Sequence, residues 1–174
     1  AGGIKALGGA KMKLVVVDAG DKVETARNAA ERMLSQNPNL TGATGSWLSS
    51  FTLAITEVTE RAQLPMLTLS FSGQITRRGH KYIFQTSPTA DAMSSGGAPA
   101  LIELGRATGR KVSKVAIVSD NTAAPMGFTK PMREGDLLQK LGLTNVYDEI
   151  YTPPLSDASG MVQKLRSSRP DVLF

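Results

Sequence analysis

Apolar residues along the chain follow two kinds of spacing. Unbroken apolar runs rich in β-branched residues predict buried strands of a parallel sheet, and apolar residues three or four apart predict helices with one buried face. Strands are expected at residues 13–19, 40–44, 66–70, 81–85, 113–119, 145–151 and 171–174. Helices are expected to begin at Asp21, Ser49, Ser87, Gly127 and Ser156. Alternating strands and helices predict an α/β fold with doubly wound parallel sheets and right-handed crossovers.

This rhythm of strands and helices occurs twice, and the two parts meet around residues 85–88. We therefore expect a first lobe at residues 1–86 and a second lobe at residues 87–174, alike in architecture but not in sequence. Loops are expected at residues 2–11, which are Gly-rich, and at residues 71–80, which are polar. The sequence starts without Met and stops in an apolar run, which predicts a fragment whose lobes are incomplete at both ends. A cleft between two lobes is a usual place for a small ligand.

The segment 40–62 predicts a binding site within this fold. It reads as a short strand, a Gly/Ser turn and a helix, with Ser49 and Ser50 at the N-cap position. The expected buried face of the helix carries Phe51, Ala54, Ile55, Val58 and Ala62. Free backbone N–H groups and the helix dipole attract anions, so we expect a seat for a carboxylate or phosphate. The alternative is an ordinary N-cap serine without a ligand.

Serines also follow the next strand, at Ser70 and Ser72. Ligands of open parallel sheets bind beyond the carboxyl ends of the strands, so this turn and the Ser46–Ser50 turn are expected to converge at one edge of the cleft. Hydroxyl and N–H groups there suit a carboxylate, and free carbonyls after Ser70 suit an ammonium. The alternative is that these serines only form turns.

Composition and motifs argue against several other classes of protein. The net charge is +5, but the basic residues are scattered and lack interleaved aromatics, so no nucleic-acid partner is expected. There is no cysteine and only one histidine, His80, in a basic loop, so we expect no metal site and no catalytic triad. The sequence has no nucleotide-binding glycine motif and no apolar run of membrane-spanning length. We therefore expect no cofactor, no enzymatic activity and no direct membrane insertion; a flavodoxin-like nucleotide enzyme is the least favoured alternative.

Four stretches of the chain, taken in order, carry a family pattern: AGGIKALGGAKMKLVVVDAGDKVETARNAAERML, GSWLSSFTLA, LPMLTLSFSGQITRRGHKYIFQTSPT and VSKVAIVSDNTAAPMGF. Together they resemble the type I periplasmic solute-binding proteins, the branched-chain amino-acid (Leu/Ile/Val) receptors of ABC importers. By position, the resemblance implies that Ser49 holds the ligand carboxylate and that the Ser70 carbonyl takes the ammonium. It also implies that Ser72 contacts both groups.

The sequence departs from that family at the wall of the cleft. Ala124 and Pro125 stand where the family has Tyr-Gly, and Trp47 adds an aromatic surface to the first turn. An aromatic carboxylate or another small acid fits these residues at least as well as Leu, Ile or Val; alternatively, Trp47 packs under its loop. The residues expected to contact the ligand are Trp47, Ser49, Ser50, Ser70, Phe71, Ser72 and Ala124.

The resemblance implies a substrate-binding component of an ABC importer that binds a small carboxylate-bearing solute, either an amino acid or an aromatic acid. The implied partner is the membrane permease of the importer. The implied location is the periplasm, or the outside of the cell with a membrane tether. A ligand-sensing regulatory domain of the same fold is the alternative.

Overall fold

Two separate parallel sheets form the framework of the computed structural model, which describes residues 3–174. The first sheet has the order β1-β2-β3, and the second has the order β5-β4-β6. The strands are β1 Ala43–Thr44, β2 Met66–Thr68, β3 Ile83–Gln85, β4 Lys114–Asp120, β5 Thr144–Tyr151 and β6 Val172–Leu173. Every pair of adjacent strands is parallel, as expected for an α/β fold.

Helices connect the strands, which is what parallel pairing requires. They are α1 Val23–Gln36, α2 Ser49–Arg61, α3 Gln74–Arg77, α4 Ala90–Ala107, α5 Ala123–Arg133, α6 Leu137–Lys140 and α7 Ser159–Ser168, with a 3₁₀ turn at Lys5–Leu7. The mixed α/β architecture predicted from the sequence is therefore confirmed. Each sheet has its own buried apolar residues: Met66, Ile75 and Ile83 in the first part, and Ala98, Ile102, Val112, Val115, Ile117, Met132 and Leu143 in the second.

The strand predicted at residues 13–19 does not form. The segment has no regular secondary structure, and the side chains of Leu14 and Val16 are 77% and 81% exposed. A β-branched run favours an extended chain, but a strand also needs a neighbour to accept its backbone hydrogen bonds. No strand among residues 3–174 pairs with this segment. Of the expected N-terminal loop at residues 2–11, residue 2 lies outside the described residues.

The helix predicted to begin at Gly127 is also different in the structure. It begins earlier, at Ala123, and it is broken into α5 and α6 around Gly135. A Cβ at Gly135 would lie 2.7 Å from the Pro131 carbonyl oxygen, so the tight turn there needs glycine. The last helix begins at Ser159 and not at Ser156, because Asp157 accepts the Ser159 N–H just before it. The expected loop at residues 71–80 contains α3.

The start of α1 also departs from the sequence prediction. Lys22, and not Asp21, is the N-cap, and the Thr25 hydroxyl accepts the Lys22 N–H.

Helix α2 buries a stripe of hydroxyl residues against the first sheet, and Val58 is the one buried member of the apolar stripe that periodicity predicts. Thr52, Thr56 and Thr59 are fully buried, whereas Phe51, Ala54 and Ile55 are only partly buried. The Thr56 hydroxyl donates to the Thr52 carbonyl at 2.7 Å, which satisfies it within the helix. A satisfied hydroxyl can be buried at little cost, so hydrophobic spacing alone does not find this face.

Residues 3–174 contain neither a membrane-spanning helix nor a cluster of metal-binding side chains. None of the helices described there is long and apolar enough to cross a membrane. The same residues contain no group of three or more histidine, aspartate or glutamate side chains arranged to hold a metal ion.

Candidate functional site

The start of α2 is tied to the loop that follows β2. The N-cap is Leu48, with φ −70° and ψ 121°, so Ser49 is the first helical residue and not the cap expected from the sequence. The Ser49 Oγ accepts the N–H groups of Phe71 at 3.2 Å and Ser72 at 3.0 Å. Ser49 therefore faces the neighbouring loop instead of capping its own helix. Its oxygen has accepted two hydrogen bonds, and its hydroxyl hydrogen is left to donate.

A second set of hydrogen bonds holds the two turns together. The Ser70 Oγ lies 2.7 Å from the Ser46 carbonyl and 3.0 Å from the Trp47 carbonyl. It also lies 2.7 Å from the Thr52 Oγ1 on α2. Both Ser70 and Thr52 are fully buried. The turns after β1 and β2 therefore converge, as the topology of a parallel sheet predicts.

The Ser70 carbonyl already has two side-chain donors, so the expectation of a free carbonyl at this position is wrong. It accepts from the Gln85 Nε2 at 2.7 Å and from the Ser87 Oγ at 2.9 Å. Gln85 ends β3 and Ser87 follows it, so strand pairing brings both donors to the loop after β2. Two good donors use both lone pairs of one carbonyl oxygen.

The surface left by these contacts is rich in donors. The first N–H groups of a helix have no partner within the helix, and among residues 3–174 no protein acceptor takes those of Ser49 and Ser50. The Ser72 hydroxyl accepts from the Gln74 N–H at 3.3 Å and keeps its own hydrogen. This arrangement, at the positive end of the α2 dipole, suits a negatively charged oxygen.

An aromatic pair lies beside these donors. The rings of Trp47 and Phe71 meet edge to face, with centroids 5.4 Å apart and planes at 87°. Trp47 is 67% exposed, so it does not pack under its loop. An exposed aromatic surface next to an anion seat can contact the apolar part of a ligand.

The second half of the chain reaches this site through the start of α5. The Ala123 N–H donates to the Ser50 Oγ at 3.3 Å, so the N-termini of α2 and α5 meet and Ala124 lies next to the contact. Asp120 accepts the N–H of Thr122 at 2.7 Å and also its hydroxyl. Because the Asp120 carboxylate already faces the N-terminus of α5, the N-terminus of α2 is the more favourable of the two positions for an anion.

Two carboxylates that follow or belong to the helices of the first part, Asp91 and Glu60, have hydrogen-bond partners that lower their pKa. Arg77 donates to Asp91 at 2.6 Å, and this hydrogen bond is the main reason that the pKa of Asp91 is lowered. Glu60, on α2, accepts the N–H groups of Lys81 and Tyr82, and the bond from Lys81 contributes most to lowering the pKa of Glu60. These contacts fix the segment between α3 and β3 against α2.

The sequence analysis did not predict Thr52, Gln85 and Ser87, which form hydrogen bonds with Ser70. Thr52 follows Ser49 by three residues and so lies on the same helical face, which is the signal that hydrophobic periodicity overlooked. Gln85 and Ser87 stand at the end of the strand beside β2, where the rule for parallel sheets also places ligand-side residues.

Two surface depressions lie away from this site. One, of about 530 Å³, is lined by α4 and β6 residues that include Leu104 and Val172. The other, of about 490 Å³, lies along α7. Neither is lined by any of the predicted ligand-contacting residues, and both are open to solvent. The convergence of donors, and not the size of a depression, therefore identifies the candidate site.

Comparison with known proteins gives the family. A family model described as periplasmic binding protein matches residues 1–174. The Leu/Ile/Val-binding protein homolog 8 of Brucella abortus is 29% identical over 177 residues, which cover 98% of this chain and 43% of the relative. An amino acid binding protein of Pseudomonas aeruginosa is 28% identical over 175 residues, covering 100% of this chain and 44% of that protein. The chain spans less than half the length of these relatives.

Solved structures show the same fold. A solute-binding protein of an ABC transporter from R. palustris, in complex with 4-hydroxybenzoate, gives a TM-score of 0.74 at 18% identity and covers 90% of this chain and 40% of that chain. An ABC transporter substrate-binding protein from Desulfitobacterium hafniense, in complex with Leu, gives 0.71 at 20% identity and covers 95% and 47%. At these identities the likeness shows the fold alone.

The fold is that of the type I periplasmic binding proteins. The chain belongs to the periplasmic binding protein family, whose members are substrate-binding proteins and not enzymes.

Proposed function

We propose that the protein binds a small solute through its carboxylate, which sits at the N-terminus of α2. One observation carries this proposal: the N–H groups of Ser49 and Ser50, which have no acceptor among residues 3–174, and the hydroxyl of Ser49 lie together at the positive end of a helix. Hydrogen bonds from several such donors to an anion are stronger than bonds between neutral groups. Membership of a family of substrate-binding proteins supports the proposal.

The ligand class is an amino acid or an aromatic acid. Trp47 and Phe71 offer a ring surface beside the donors, and related structures carry 4-hydroxybenzoate in one case and Leu in another. The remaining predicted contacts, Ser70, Ser72 and Ala124, border the same turns. Ser70 acts through its hydroxyl as a support for the turns, since its carbonyl is already used.

Ligand binding in this proposal closes two lobes, residues 1–86 and residues 87–174, over the solute. The contact between Ser50 and Ala123 is one of the points at which residues of the two proposed lobes meet. The closed form would then deliver its solute from the periplasm to the permease of an ABC importer. Permease and ATPase genes next to the gene of this protein are expected, and neighbouring signalling genes would favour the sensory alternative.

A thermal-shift experiment with acid–amide pairs tests the proposal. Benzoate and L-leucine are compared with benzamide and L-leucinamide, which keep the apolar part but lose the negative charge. A ligand at about 100 times its Kd stabilises a protein by about 2.7 kcal/mol, which raises the Tm by several degrees. We expect a shift with at least one acid and none with its amide. Equal shifts with acid and amide would contradict an anion seat, as would a panel of small carboxylic acids that gives no shift.

A further inference from the structure

We propose that the ion pair between Arg77 and Asp91 is a latch that holds the two predicted lobes in the arrangement where Ser50 meets Ala123. The inference rests on the proposed function, because it concerns the closure of the lobes over the ligand. It adds two charged residues, outside the set of expected ligand contacts, that set how much of the ligand-free protein is closed.

The ion pair joins the two predicted lobes directly. Arg77 ends α3 in the first lobe, and Asp91 lies in the first turn of α4 in the second lobe. The Arg77 Nη2 donates to the Asp91 Oδ2 at 2.6 Å. This hydrogen bond is also the main cause that lowers the pKa of Asp91, so the carboxylate is charged at neutral pH. A movement that separates α3 from α4 would therefore break a charged hydrogen bond.

The start of α4 is also held to the loop that carries the candidate site. The Ala90 N–H donates to the Phe71 carbonyl at 2.6 Å, and the Phe71 N–H donates to the Ser49 Oγ at 3.2 Å. Asp91 follows Ala90 directly, so the ion pair adds a side-chain contact next to the backbone contact. Two points of attachment fix the direction of α4 relative to the loop, whereas one point leaves it free to turn.

A glycine leaves the space that the ion pair occupies. Gly73 has φ −64° and ψ −15°, which are helical values that any residue can adopt. A Cβ at this position would lie 3.0 Å from the Arg77 Cζ and 3.2 Å from the Asp91 Oδ1. The backbone therefore does not require glycine here, but a side chain would crowd both partners of the ion pair.

The contact that the latch supports is weak by itself. The Ala123 N–H lies 3.3 Å from the Ser50 Oγ, which is longer than a typical hydrogen bond from a backbone nitrogen. An exposed ion pair changes an equilibrium between two arrangements by up to about fivefold. The latch therefore favours the closed arrangement without making it permanent, and a ligand can still shift the balance.

Distances between spin labels test the latch in the full-length protein without ligand. Labels at Arg32 on α1 and Gln163 on α7, both exposed, report on the separation of the two predicted lobes. We expect Arg77→Gln to change the share of the more open population about two- to fivefold, upward. Asp91→Asn should act in the same direction, and the double variant should stay close to the larger single effect, because both remove one ion pair. Unchanged distributions in both single variants would overturn the latch and, since no ligand is present, leave the proposed function standing.

Arg61→Gln is the matched control. Arg61 on α2 binds Glu31 on α1 at 3.4 Å, so its ion pair joins two helices within the first lobe, and Arg61 and Arg77 are similarly exposed, at 62% and 64%. The control should leave the distribution unchanged, and an effect equal to that of Arg77→Gln would overturn the latch. Raising the salt concentration from about 0.01 M to about 1 M shortens the Debye length from about 30 Å to about 3 Å. We expect this to raise the open share in the wild type and to have at most about half that effect in Arg77→Gln; equal responses would also overturn the latch.

Discussion

Ser49 has two tasks in the proposed site, and each uses a different part of its hydroxyl. The oxygen accepts the N–H groups of Phe71 and Ser72, and the hydrogen is left for a ligand oxygen. Ser49 is only 4% exposed and Ser72 only 1% exposed, so the hydrogen bond between them is shielded from water. The same hydroxyl therefore holds the two turns together and can also donate a hydrogen bond to a ligand.

We expect Ser49→Ala to lower the free energy of unfolding by about 1–3 kcal/mol, because it leaves two buried donors without an acceptor. We expect it to weaken binding of the acid found by thermal shift by a similar amount, since a donor to a charged group is lost. Urea unfolding and calorimetry measure the two effects. Ser95→Ala, an exposed position on α4, serves as the control and should change neither by more than about 0.5 kcal/mol. A destabilised variant with unchanged affinity would remove Ser49 from the ligand contacts.

The serines of the site were predictable from the sequence, but their bonding was not. The position of Ser49 and Ser70 after neighbouring strands follows from the order of elements, and it placed both in the same region. The partners of the Ser70 carbonyl come from the end of β3, fifteen and seventeen residues further along the chain. Such bonds depend on the pairing of β2 with β3, two strands that lie far apart in the sequence, and local sequence patterns do not specify that pairing.

Two similar apolar runs show that the sequence predicts the propensity for a strand but not whether the strand forms. Residues 13–19 and residues 113–119 read alike, but only the second forms a strand, β4. β4 lies between β5 and β6, which accept and donate its backbone hydrogen bonds. Leu14 and Val16 remain exposed in the first run because no described strand lies beside it. The strand propensity of a segment follows from its own residues, whereas the neighbouring strand that it needs depends on the rest of the fold.

Helix α4 offers a test of local structure at two of its glycines. A Cβ at Gly97 would meet nothing within 4 Å, whereas a Cβ at Gly105 would lie 3.0 Å from the Val112 Cγ2 in the core. Alanine is favoured over glycine inside a helix by about 1 kcal/mol. We therefore expect Gly97→Ala to raise the free energy of unfolding by about 0.5–1 kcal/mol, and Gly105→Ala to give no gain or a loss. Urea unfolding of both variants measures the difference; equal gains would contradict the packing described between α4 and Val112.

At the level of the molecule, the two sheets with their own cores are joined by few contacts near the site. The Ala90 N–H donates to the Phe71 carbonyl at 2.6 Å, and Arg77 binds Asp91. Together with the Ser50–Ala123 bond, these contacts place the N-termini of α4 and α5 against the turns of the first sheet. A ligand held between these turns and α5 would bind both halves at once, so its binding energy can favour a closed arrangement.

Spin labels can test this closure, because the 174 residues contain no cysteine and new cysteines there are labelled specifically. Labels at Arg32 on α1 and Gln163 on α7, both exposed, report on the distance between the two predicted lobes. Labels at Arg32 and Gln74 lie within the first lobe and serve as the control. On addition of the acid found by thermal shift, we expect the distance distribution of the first pair to narrow and shift, while the control pair stays the same. A ligand that saturates the site but leaves both distributions unchanged would mean that binding occurs without movement of one lobe against the other. The ligand would then be recognised by a preformed site, since only differential affinity for two arrangements can shift their populations.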